Sequence, residues 1–269
     1  MNRNFSTIIS TEIYKLRRNK MRFVVPAAFF LLTIFLFIGL SAAAVRSYFG
    51  LPNGFYLTSA GLSWLINIIV LFLVIITSFQ ISNEFAMGTV KSVWVSPVSR
   101  RAWLSGKIIY LCLIAALLLF CSTILLLLLS WIKFGLTDLA EKNYVIHSAS
   151  SLGLRLILVL SLTLITLFAV VCFASAISTL FCRPGSSIAM LLSIGFLMMV
   201  IGILPVLKGF LLITYISSPL EQMTAMAKGL PLPFSWSELI MQTLIVSGVY
   251  MIISISAGQL LITKKEIKF

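Results

Sequence analysis

Ile108 to Trp131 reads IIYLCLIAALLLFCSTILLLLLSW, a run with no Asp, Glu, Lys, Arg or His. At about 1.5 Å of rise per helical residue it would extend about 36 Å, enough to cross the roughly 30 Å hydrocarbon core of a bilayer. Outward from it lie five more blocks of this kind: Phe23 to Ala44, Leu62 to Ile81, Leu156 to Leu180, Ser187 to Val206 and Leu239 to Thr263. Each is continuously apolar. A barrel strand would alternate over about 10 residues, so helices are expected. The fold class is all-α: a polytopic membrane protein of six transmembrane helices, with residues 1–269 as a single transmembrane domain.

Composition agrees. Of 269 residues 60% are apolar and only 10% charged, and the mean hydropathy is +1.12, too little polar surface for a protein whose solvent is water. The net charge of +13 would point a soluble protein toward nucleic acid, but here the basic residues sit at block ends, so no nucleic-acid partner is expected and membrane lipid is. The four cysteines, Cys112, Cys121, Cys172 and Cys182, show no C-x-x-C spacing and read as small apolar packing residues.

With six spans both termini share a side. Arg3, Lys15, Arg17, Arg18, Lys20, Arg22, Lys91, Arg100, Arg101, Lys107, Arg183, Lys264, Lys265 and Lys268 fall on that side, against Arg46, Lys133, Lys142, Arg155, Lys208 and Lys228 on the other. The excess makes both termini cytoplasmic. Trp64, Trp131 and Trp236 fall at predicted outer span ends, where an indole can keep its ring in the acyl boundary and its N–H in the headgroup layer. The first block is longer than the 7–15 residues or so of a signal-peptide core and is read as a span.

Three pieces are not spans. Within residues 1–22, Phe5, Ile8, Ile9, Ile13 and Leu16 recur at helical spacing while Glu12, Lys15, Arg17 and Arg18 fill other positions, giving an interfacial amphipathic helix that serves as an anchor or meets a partner. The connection 83–107 reads NEFAMGTVKSVWVSPVSRRAWLSGK, with Glu84 to Trp94 able to form a short helix that Pro97 ends. Its Glu84 is an acid at the mouth of a span where basic residues prevail. The segment 208–236 is semi-apolar and broken by Pro219, Gly229, Pro231 and Pro233, and is either an external loop with an interfacial helix or a re-entrant segment.

In the connection, Glu84, Gly88, Thr89, Pro97, Arg100 or Arg101, and Gly106-Lys107 resemble the ordered motif of the permease subunits of type-2 ABC exporters, close to the small bacterial permeases of antimicrobial-peptide immunity and drug efflux. The resemblance implies that Glu84 to Val95, with Phe85 and Val90, is a cytoplasmic coupling helix docked on a separate ATPase. Arg183 would make a second contact. Ile9, Glu12, Ile13 and Leu16 would belong to the flanking interfacial helix, and 208–236 would be a re-entrant helix pair. It further implies two ATPase copies, a second permease that is identical or a sister chain, and the bacterial cytoplasmic membrane.

The chain itself lacks chemistry. The string nearest a phosphate-binding loop, RAWLSGKI from Arg101 to Ile108, misses the first Gly and the final hydroxyl, so ATP and magnesium are expected on the partner and no cofactor or metal on this chain. His147 is a lone histidine, read as a surface residue, and no catalytic triad can be built around it. The sequence thus reads as the permease of an ATP-driven exporter of a hydrophobic or amphipathic substrate, and not as an enzyme. The alternatives are an ion-coupled secondary transporter, which should carry acids or histidines inside its spans, and a membrane scaffold.

Overall fold

The computed structural model describes residues 21–46, 53–88, 99–141, 144–232 and 235–264. The helices are α1 (Met21–Arg46), α2 (Gly54–Ala86), α3 (Arg100–Phe134), α4 (Ala149–Leu180), α5 (Pro184–Ile201), α6 (Pro205–Lys208), α7 (Leu212–Ala227) and α8 (Trp236–Lys264). Among the described residues five of them, α2, α3, α4, α5 and α8, are long and apolar enough to cross a membrane. The described apolar part of α1, Phe29–Ala42, is shorter, although the whole helix has 26 residues. The interfacial helix carrying Ile9, Glu12, Ile13 and Leu16 lies outside the described residues.

Helices overrun several predicted spans because caps, not hydropathy, set their ends. Asn53 starts α2 eight residues ahead of the predicted Leu62, its Oδ1 accepting the Phe55 N–H at 3.1 Å while its Nδ2 donates to Thr137 O at 2.7 Å. Trp64 consequently lies in the third turn of α2 instead of at its start, 65% exposed. Ser148 caps α4 seven residues before the predicted Leu156, and the Asp138 carboxylate accepts the Ala149 N–H beside it. Pro184 opens α5, which stops at Ile201 and not at the predicted Val206.

The centre of the bundle is α2 and α4. α2 packs on α3, α4 and α7, while α8 makes its main contact with α4, and α1 lies against α2 and α3. In a bilayer no water satisfies a buried hydroxyl, so Thr58, Thr123, Thr163 and Thr179 donate to carbonyls one turn back, at 2.7–2.8 Å. Other hydroxyls join helices. Ser187 Oγ of α5 reaches Ser78 of α2 at 3.2 Å and Ser178 of α4 at 3.0 Å, and Ser82 Oγ donates to Ser178 O at 2.9 Å. Small residues bring α8 close: a Cβ at Gly258 would meet Leu104 at 3.2 Å and Ala176 Cα at 3.5 Å. Cys172 is buried and Cys112 half-buried, as packing residues are, whereas Cys121 and Cys182 are exposed, which corrects the packing role expected for them.

Two features of the Asn53 end escaped the sequence reading. Strands β1 (Leu139–Glu141) and β2 (Tyr144–His147) form an antiparallel hairpin, with the half-buried His147 opposite Leu139. Under it α7 ends in a Schellman motif: Leu230 N–H bonds Ala225 O at 2.9 Å, Gly229 N–H bonds Met226 O at 3.0 Å, and Gly229 has φ +70°. The buried face of α7, with Leu212, Tyr215, Ile216, Leu220 and Met223, follows the i, i+3, i+4 rule. Tyr215 Oη approaches Gln242 Oε1 at 3.3 Å and Lys228 lies 4.8 Å from the Tyr56 ring centre, so α7 runs from the second turn of α8 to the first turn of α2.

Candidate functional site

At the opposite end of the bundle, Glu84 occupies the last turn of α2 and Lys107 the second turn of α3. Lys107 lies seven residues past the first residue of α3. It stands inside it, because Ser99 caps α3 at Arg100, accepting the Ala102 N–H at 3.2 Å. Lys107 is 1% exposed. An ammonium so buried must be paired, and its Nζ lies 2.9 Å from Glu84 Oε1, which is 16% exposed, and donates to Gln80 O at 2.6 Å. The charge also lies 5.0 Å from the Trp103 ring centre, and Phe85 meets that ring edge-on at 5.9 Å and 77°.

Helix ends explain the partners. Cations are disfavoured at the positive N-terminus of α3, which carries Arg100, Arg101 and Lys107, and Glu84 offsets them. Conversely α2 has no basic residue in its own last turn, and Lys107 brings a cation to its carbonyl end. Arg100 Nη1 donates to Thr263 O at 3.3 Å, fastening the same region to α8.

The predicted residues fall into three groups. Glu84, Phe85 and Lys107 converge in one cluster, with Ile81, Leu104 and Ile262 as its apolar bed. Arg100, Arg101 and Gly88 flank it. Gly88 follows α2 at φ +68°, and the place of a Cβ there is open. Arg183 caps α5 four residues before Ser187, whose bond to Ser78 puts it at the same end. Thr89, Val90 and Pro97 lie outside the described residues. Trp103, Gln80 and the Ser78–Ser178–Ser187 group were missed. Spacing held the signal for two of them, since Gln80 with Glu84 and Trp103 with Lys107 are i, i+4 pairs that share a helix face.

A family model described as ABC-2 family transporter protein matches residues 8–182, well over half of the chain, including this whole cluster except the α8 contacts. The chain belongs to the ABC-2 transporter family. It is a multi-pass membrane protein and a permease of an ABC transporter, a transport subunit and not a catalytic one. The family match ends before Arg183, so α5, α7 and α8 lie beyond it. No curated protein matches the chain.

Proposed function

We propose that this ABC-2 permease is the membrane half of an exporter in the bacterial cytoplasmic membrane, with the Glu84 end and both termini in the cytoplasm. Two ATPase subunits, holding ATP and magnesium, bind there and drive a dimer of permeases, identical or sister. The cargo is hydrophobic or amphipathic, such as an antimicrobial peptide or a drug. The observation that supports this best is the bond from Glu84 to Lys107, which ties α2 to α3 at the root of the connection between them. A force on that connection then reaches both helices as a rigid-body tilt instead of being lost in loop motion. The charge excess at that end and the exposed Arg183 beside it agree.

The test is to isolate the tagged full-length chain from its own membranes and assay ATP hydrolysis in the eluate. Wild type and Gly88→Asn, which tolerates a left-handed backbone, should retain the activity. Gly88→Trp should stay in the membrane and lose it. Undiminished hydrolysis with Gly88→Trp, or transport by the purified chain with no ATPase present, overturns the reading.

A further inference from the structure

The close approach of α4 and α8 leaves a valley on their outward side, with a volume of about 400 Å³. Ala176 and Ser254, both buried, lie at its floor with Ala257, and Ile177, Ile253 and Leu261 form its flanks. Its far end is lined by Phe173 and Tyr250, whose rings meet edge-on at 6.0 Å and 69°. From Val249 to Leu261 it follows α8 for about 18 Å, close to the roughly 15 Å hydrocarbon depth of a single leaflet. The other end opens at Leu180 and Leu261, where the helices finish.

Cations surround that mouth. Arg183 lies three residues past Leu180, Lys264 is one turn past Leu261, and Arg100 is bonded to Thr263 O. We infer that the α4–α8 valley holds one acyl chain of an anionic phospholipid whose phosphate lies by the exposed Arg183 and Lys264. The apolar trough suits the chain by area and length. The long basic side chains extend to the headgroup level, and a headgroup with no ammonium of its own keeps a net negative charge to meet theirs.

The experiment uses the full-length chain in nanodiscs doped with phosphatidylglycerol or phosphatidylcholine bearing the same photoreactive acyl chain, with adducts mapped by mass spectrometry. Phosphatidylglycerol should label residues 173–180 and 249–261 about tenfold more than phosphatidylcholine, a difference of about 1.4 kcal/mol in binding. The double variant Arg183→Ala/Lys264→Ala, at two exposed positions, should remove the preference, and Ala257→Trp should block the floor and remove the label. Equal labelling by both lipids overturns the proposal and makes the valley ordinary lipid-facing surface. So do adducts located elsewhere, or chain-to-chain cross-links across the valley without lipid label, which would mean that a second copy covers it.

Discussion

Lys107 of α3 and Glu84 of α2 form an ion pair of 2.9 Å with the ammonium 1% exposed, so each charge is the other's condition for being buried. Removing one member of such a pair costs about 3–5 kcal/mol, because the other is left without a partner. Glu84→Ala and Lys107→Met are each expected to lower the melting temperature of the detergent-solubilised protein sharply. The double variant Glu84→Gln/Lys107→Met should recover most of the loss. Additive losses in the double variant would show that the two residues do not act as a pair.

Asn53 uses both ends of its amide, one on Phe55 N–H and one on Thr137 O, and is 5% exposed. Asn53→Ser keeps a capping oxygen and loses the donor to Thr137 O, whereas Asn53→Ala loses both. Loss of the cap alone is worth about 1 kcal/mol. The order of thermal stability should therefore be wild type, Asn53→Ser, Asn53→Ala, and the reverse order for the two variants would contradict the cap.

Gly54 donates its N–H to Gly135 O at 3.1 Å, and a Cβ at Gly54 would collide with that same oxygen. Gly54→Ala is expected to destabilise by about 1–3 kcal/mol through overpacking. At Gly153, inside α4, a Cβ meets nothing within 4 Å, so Gly153→Ala should instead stabilise by about 0.5–1 kcal/mol. Melting curves of the two single variants give the signs directly.

Ser187 joins α5 to α2 and α4 through Ser78 and Ser178. Interhelical hydrogen bonds in membranes average about 0.6 kcal/mol, so Ser187→Ala should have a small effect. Ser187→Leu, at a position 0% exposed, should have a larger one, because it forces bulk between three helices. Proteolysis of the α4–α5 connection in detergent would report the separation, and equal cleavage rates for the two variants would count against it.

Five of the spans were legible because hydrocarbon demands long apolar runs, and Ile108 to Trp131 can be little else. Their ends were not. Asn53 and Ser148 set the starts of α2 and α4 through hydrogen bonds that a hydropathy average does not register. The acid–base cluster was half visible: Glu84 stood out as an acid among bases, but Lys107 was not read as its partner, because the two stand on different helices. The pairing of Leu139–Glu141 with Tyr144–His147 went unread because strands of 3 and 4 residues are too short to show a period. The small-residue contact of Gly258 with Leu104 and Ala176 depends on residues far apart in sequence, where no local pattern reports it.

The lengths of α2 and α3, 33 and 35 residues, bear on mechanics. At about 1.5 Å per residue each is a rod of about 50 Å, well beyond the roughly 30 Å of oil it must cross. Bolted together near Gln80 and again at Thr58 and Ser130, the two make a stiff strut with overhang, in which a nudge applied at Gly88 would swing the Tyr56 end as far as the position of its pivot allows.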